Sequence, residues 1–381
     1  MPNSIHPNTQ TPPTSHMSRR GLLRYAAVAG AAAAGAPLLS ACGAGSADGK
    51  GGRDTVKLIH AAKDPLVLWA VTYLAEDQGF YKKEGLTVER VLLGGGPAAL
   101  TGLLTKAGHV NLSAPGELLA AVGKGRRLKT LLAHTNSMPS LLVVSKAFAK
   151  RVGVTADSDL RDRRAALGKV KGARFGITAP GSQTDACTRL ALKQAGADPV
   201  KDARIVPLQT ASNSLAALAN NQIDGFVAVP PVAEKAVIDM GAVPLLLNQT
   251  GEIAGGDRIQ GMTMQARAED VDANPELYRA LVRADVRAMQ SLVEDPAEAG
   301  ALLRKTRFSQ LDERIWTYAW GLVQKSWGSP LVSQDSLKAW FDNGLITGAN
   351  AAEFPFDEVV DMRFVNEALK ATGWKPSSAP V

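Results

Sequence analysis

Only two cysteines, Cys42 and Cys187, stand in 381 residues, and aromatic residues are sparse at 5%. Two cysteines cannot build a disulfide framework. Zinc-type spacing is missing as well, since neither H-x-x-x-H nor C-x-x-C occurs. His60 and His134 both end β-like runs, but two histidines make no metal site without further ligands. After residue 42 no segment has the roughly 18–20 apolar residues that a bilayer-spanning helix needs. A P-loop is excluded too: Gly49-Lys50 is followed by Gly51, and Ala44 stands where the earlier glycine belongs. Charge of one sign is modest. The formal net charge is +7, and Arg19, Arg20 and Arg24 contribute to it before residue 42 without any acid among them. A nucleic-acid binder concentrates its basic residues on one face. The densest run here, Lys124-Gly125-Arg126-Arg127-Leu128-Lys129, reads as a solvated loop, so no nucleic-acid partner is expected.

What is present begins at the N-terminus. Residues 1–17 are rich in Pro, Ser, Thr and Asn, and Met17 offers a second start. From Tyr25 to Ala41 the chain carries 17 uncharged residues, many of them Ala and Gly. Arginines, then a short weakly apolar stretch, then small residues describe a secretory signal better than an anchor helix. Ser18-Arg19-Arg20-Gly21-Leu22-Leu23-Arg24 resembles the twin-arginine export motif, with Leu22 at the usual phenylalanine. Leu39-Ser40-Ala41-Cys42 resembles a lipobox, which implies a diacylglycerol on Cys42 and cleavage before it. Residues 1–41 are therefore expected to be a signal peptide and 42–54 a lipidated Gly-rich tether. With Cys42 acylated, Cys187 has no disulfide partner; at helical spacing with Leu190 and Ala191 it reads as a small buried hydrophobe.

From residue 55 onward, short β-like runs alternate with amphipathic helices, the pattern of α/β sheets. Val56–His60, Leu86–Leu93, Val110–Ser113 and Leu128–His134 read as strands of a first unit, and Leu141–Ser145 as a strand that leaves it. Asp64-Pro65 offers a helix cap followed by proline at the first helical position. Arg174–Thr178, Ile205–Gln209, Ile223–Val229 and Val243–Leu247 form a second unit, with Ile259–Met264 as a return strand. Asp157–Leu167 reads as a surface helix or loop, and mostly helical segments follow from Pro275, ending in Val359–Ala371. The expected organisation is a lobe over 55–140, a second over 141–252, and a return to the first with C-terminal helices over 253–381. No cofactor is expected.

Ligands in open α/β sheets sit beyond the carboxyl ends of strands. The best candidate is "TAPGSQTD": Thr178 ends a strand, Ser182 can cap the next helix, and a helix N-terminus favours anions without any arginine. Ser182, Gln183, Thr184 and Asp185 belong to that element. "LGGGPAAL" fits a loose dinucleotide fingerprint with Glu117 downstream, but on the second βα turn. Gly95 and Gly96 more simply shape a loop at the cleft, as do Ser113, Ala114 and Glu117. Acids at helix starts (Asp64, Glu117, Asp185) are usually caps; the sharper reading has one of them meet a ligand ammonium or ring N–H. Trp69 is an apolar wall or core. The loops after Gln209 and Val229 add Thr210, Asn213, Val229 and Pro230.

Four stretches carry a family resemblance. "AEDQGFYKKEGLTVE" (Ala75–Glu89), "FGITAPGSQTDACTRLALKQAGADP" (Phe175–Pro199), "AALANNQIDGFVAVPPVAEKA" (Ala216–Ala236) and "FDEVVDMRFVNEALKATG" (Phe356–Gly373) resemble nitrate/sulfonate/taurine-type substrate-binding proteins of ABC importers. Asn221 replaces that family's usual glycine. The resemblance implies a two-lobed periplasmic-binding-protein fold of type II with two crossover hinge strands. It also implies a small-molecule ligand, a membrane permease as partner, a monomer, and no catalysis. The superfamily also holds a pyrimidine-forming enzyme and desulfinases with a nucleophilic cysteine, and a ligand-sensing receptor subunit is a third possibility.

Overall fold

The computed structural model describes residues 54–346 and 354–377. The expected signal peptide, Cys42 and all of the tether but its last residue lie outside the described residues. No helix among the described residues is long and apolar enough to cross a membrane.

The strands of the described residues are β1 (Asp54–His60), β2 (Leu86–Leu92), β3 (Val110–Ser113), β4 (Leu128–Ala133), β5 (Leu141–Val144), β6 (Ala173–Ile177), β7 (Ala203–Pro207), β8 (Gly225–Ala228), β9 (Val243–Leu247) and β10 (Thr263–Arg267). They build two five-stranded sheets, ordered β2-β1-β3-β10-β4 and β7-β6-β8-β5-β9. The two orders are the same plan. In each sheet three neighbouring strands pair in parallel, the strand reached by crossing from the other lobe inserts antiparallel in the fourth place, and the fifth strand again runs with the first three. Helices cover the sheets, so the central strands read as unbroken apolar runs. Leu141–Val144 and Gly225–Ala228 are buried at every position, while the edge strands β2 and β7 are partly exposed.

Helix starts follow the side chains that cap them. Ser145, Asp159, Ser182, Thr210, Asp295 and Ser333 each accept a backbone N–H from the first turn of the helix that follows. Asp64 does not act this way. Residues 61–66 are irregular, Val67–Trp69 forms a 3₁₀ turn, and the helix runs Ala70–Asp77. The Asp64 carboxylate instead accepts the Ser212 hydroxyl, and the Val67 N–H goes to Pro230 O at 3.0 Å. The expected helix Val359–Ala371 is two helices, Phe356–Val359 and Arg363–Thr372. The first residues of the expected span are drawn to the first sheet, where Val360 bridges Thr130 and the Asp361 N–H reaches Thr130 O at 2.9 Å.

The return strand is Thr263–Arg267 rather than Ile259–Met264. Residues before it belong to a crossing that is tied to the outgoing one. His134 N–H donates to Met262 O at 2.8 Å, and Met262 N–H to Thr135 Oγ1 at 2.8 Å. The segments approach so closely that a Cβ on Gly261 would stand 2.1 Å from Ser137 O.

The first signature stretch is scaffolding. Tyr81 is buried and its hydroxyl donates to Asp285 Oδ1 at 2.5 Å, while His134 Nε2 lies 2.7 Å from Asp285 Oδ2. Glu84 pairs with Arg283 and Arg287 on the long helix Pro275–Glu294. At the position of the family's glycine, Asn221 has φ +53°, a left-handed conformation that asparagine tolerates better than most side chains.

Candidate functional site

A cavity partly open to solvent is walled by residues at the ends of β1, β2, β3, β6, β7 and β8, with Met262 from the returning crossing. The three parallel-paired strands of each sheet thus deliver their carboxyl ends to one space, where α/β sheets bind ligands. The lobes touch across it through Asp64–Ser212 and Val67–Pro230.

The first lobe supplies acids and an aromatic wall. Asp64 lines the cavity, with its Oδ2 buried and unpartnered. Glu117 stands in the first turn of Gly116–Val122, is 9% exposed, and has a buried, unpartnered Oε2. Burial pushes its carboxyl up to about 8. Its position depends on Gly96: a Cβ there would lie 1.8 Å from Glu117 Oε1. Trp69 is 1% exposed yet lines the cavity, and its ring packs against His60, tilted by 32° with centroids 4.4 Å apart. Burial, with Arg90 and His134 adding to it, lowers His60 to about 3, so the ring is neutral.

The second lobe supplies hydroxyls and a helix end. Thr178 Oγ1, Ser182 Oγ and Thr184 Oγ1 lie within 3.0 Å of one another, and Thr178 N–H donates to Thr184 Oγ1 at 2.9 Å. Gln183 opens the helix Gln183–Gln194, and its Nε2 is buried without a partner. Free N–H groups and the helix dipole make this end favourable to negative charge.

Of the residues singled out in the sequence, Asp64, Trp69, Gly95, Gly96, Ser113, Ala114, Glu117, Thr178, Ser182, Gln183, Thr184, Thr210 and Val229 all line this cavity. Asp185, Asn213 and Pro230 do not. The Asp185 carboxylate turns back to accept Gly181 N–H at 2.8 Å and pairs with Arg189 at 2.6 Å. Asn213 is exposed and donates to Leu208 O at 2.7 Å. Pro230 is held in the contact with Val67. Lining residues the sequence reading left out include Lys63, Gln209 and Met262. Lys63 sits in the loop after β1, which the strand-end rule already marks. Gln209 has φ +70°, a conformation uncommon for glutamine and invisible in the sequence. Met262 arrives only through the crossing.

Neither cysteine nor histidine lines the cavity among the described residues. Cys187 is buried in its helix, and burial pushes its thiol up to about 12, which leaves it no thiolate character. No cluster of His, Cys, Asp and Glu among the described residues is placed to hold a metal ion.

Residues 65–304 match the NMT1-like family. No curated protein matches the chain. Among solved structures, a protein of Bordetella bronchiseptica is 22% identical, with a TM-score of 0.69 over 84% of this chain and 98% of its own. The periplasmic nitrate-binding protein NrtA of Synechocystis is 20% identical, with a TM-score of 0.64 over 83% of this chain and 88% of its own. The periplasmic aliphatic sulphonate binding protein SsuA of Escherichia coli is 15% identical, with a TM-score of 0.56 over 86% of this chain and 94% of its own. Identities this low establish the fold, and it is the two-lobed fold of periplasmic binding proteins.

Proposed function

The chain belongs to the NMT1-like family, and from that premise we propose that it is the solute-binding component of an ABC importer. It captures a small polar or anionic organic molecule between its lobes and presents the closed form to a membrane permease. The observation that carries this reading is the cavity walled by strand ends of both sheets. A ligand touching both walls stabilises the closed arrangement over any open one, and that population difference is what a permease can read. Proteins of the same fold named for nitrate and aliphatic sulphonate binding favour a ligand of this size and polarity. The sequence around Arg19-Arg20 and Cys42 supports export and a lipid anchor for a monomer held beside its transporter.

A thermal-shift panel of sulfonates, aminosulfonates, nitrate and pyrimidines tests the capture step. A ligand at 100 times its Kd adds about 2.7 kcal/mol, which raises the melting temperature by several degrees. One class should do so and be recovered with unchanged mass; turnover of that compound would sink the binding-protein reading in favour of an enzyme. For the anchor, cells fed a labelled fatty acid should mark the wild-type chain and leave Cys42→Ser unmarked and released.

A further inference from the structure

Resting on the solute-binding reading, we infer that the solute carries a nitrogen-bound donor, an ammonium or the N–H of an aminated ring, received by Glu117 and Asp64 of the first lobe. Its electron-rich end lies against the Gln183 end of the second lobe. Four observations converge on this. Glu117 is more than nine-tenths buried, lines the cavity and leaves Oε2 unpartnered. Asp64 spends one carboxylate oxygen on Ser212 and leaves the other buried without a partner. Gln183 contributes an unpartnered amide donor at the start of a 12-residue helix on the opposite wall. No arginine lines the cavity among the described residues, and its single lysine, Lys63, is exposed.

A bare anion fits this lining badly. It leaves the second Asp64 oxygen unpaired and brings a like charge beside that carboxylate, and an unsatisfied buried polar group is costly. A donor group satisfies the Asp64 and Glu117 oxygens at once. It also offsets the burial that holds Glu117 near 8, since a neighbouring cation favours the ionised carboxylate. Gly96 fits the same purpose, because any larger residue there would displace the Glu117 carboxyl.

The test is calorimetric titration of the full-length protein with two matched pairs in which a methyl replaces the amino group: taurine against propanesulfonate, and aminopyrimidine against methylpyrimidine. In at least one pair the aminated member should bind about tenfold tighter or more, the size of one hydrogen bond to a charged group. Glu117→Gln should remove most of that preference while the variant melts no lower than wild type. Equal affinity within both pairs, or tight binding of propanesulfonate or nitrate alone, overturns the inference and leaves the solute-binding reading standing. A preference that survives Glu117→Gln overturns the assignment to Glu117. Silence from all of these compounds counts against both readings.

Discussion

The two lobes repeat one strand order yet present different chemistry to the cavity between them. The first offers carboxyls and an indole, the second mutually bonded hydroxyls and a helix N-terminus. Equivalent positions sharpen the contrast. β3 and β8 occupy the same place in their sheets, and each is followed by a helix with a glutamate in its first turn, Glu117 and Glu234. Glu117 is the second residue of its helix and Glu234 the third. One step along a helix turns a side chain by about 100°. Glu117 lines the cavity, whereas Glu234 is fully buried with both carboxylate oxygens unpartnered and takes no part in the wall. Topology thus decides where a ligand can sit, and one residue of helical phase decides which group meets it.

The largest expected effect tests the first of these acids. Burial raises Glu117 from an ordinary 4.5 to about 8. Above pH 4.5 the unfolded chain has released this proton while the folded protein keeps it. Stability is therefore complete below that pH and falls as pH rises toward 8, by an amount on the order of 5 kcal/mol at the limit. In ligand-free protein, Glu117→Gln should flatten this loss, so urea midpoints of variant and wild type diverge steadily from pH 5 to 8 and then run parallel. Curves that stay parallel throughout would show that Glu117 is already charged or solvated. Glu234 rises only to about 7, again through burial. Glu234→Gln should give a smaller divergence that stops near pH 7 and leaves solute affinity unchanged. An altered affinity there would erase the contrast between the two acids.

Much of this arrangement was legible in sequence. Alternating β-like runs and capped helices locate nine of the ten strands closely, because local apolar patterning and caps fix them. The strand-end rule leads to Thr178–Thr184, Gly95–Gly96 and Ser113–Glu117 without knowledge of the packing. What was not legible depends on distant partners. Asp64-Pro65 looks like a helix start, but Ser212 of the other lobe takes the carboxylate. The β10 boundary shifts because Met262 is bonded to His134 and Thr135, over 120 residues earlier. Asp185 follows the ligand-site pattern, yet Arg189, one turn along its own helix, draws the carboxylate aside. Gln209 joins the wall through a backbone conformation that its residue type does not announce.

The smallest effect concerns helix starts at equivalent places. β6 and β1 correspond, and their following helices begin differently. Gln183–Gln194 is capped by Ser182, while Ala70–Asp77 starts at Trp69 with no side-chain cap. Ser182 also accepts the Thr178 hydroxyl at 2.9 Å, so its loss opens both the cap and the hydroxyl cluster. Ser182→Ala should cost about 1 kcal/mol in urea unfolding. Asp64→Ala should cost less than half of that, because its bond to Ser212 joins partly exposed groups across the cleft and caps nothing. Equal losses would mean that the Asp64–Ser212 contact stabilises the ligand-free fold as much as a cap does. The lobes would then be held closed without solute, and the Asp64→Ala protein should expand in solution scattering where Ser182→Ala does not.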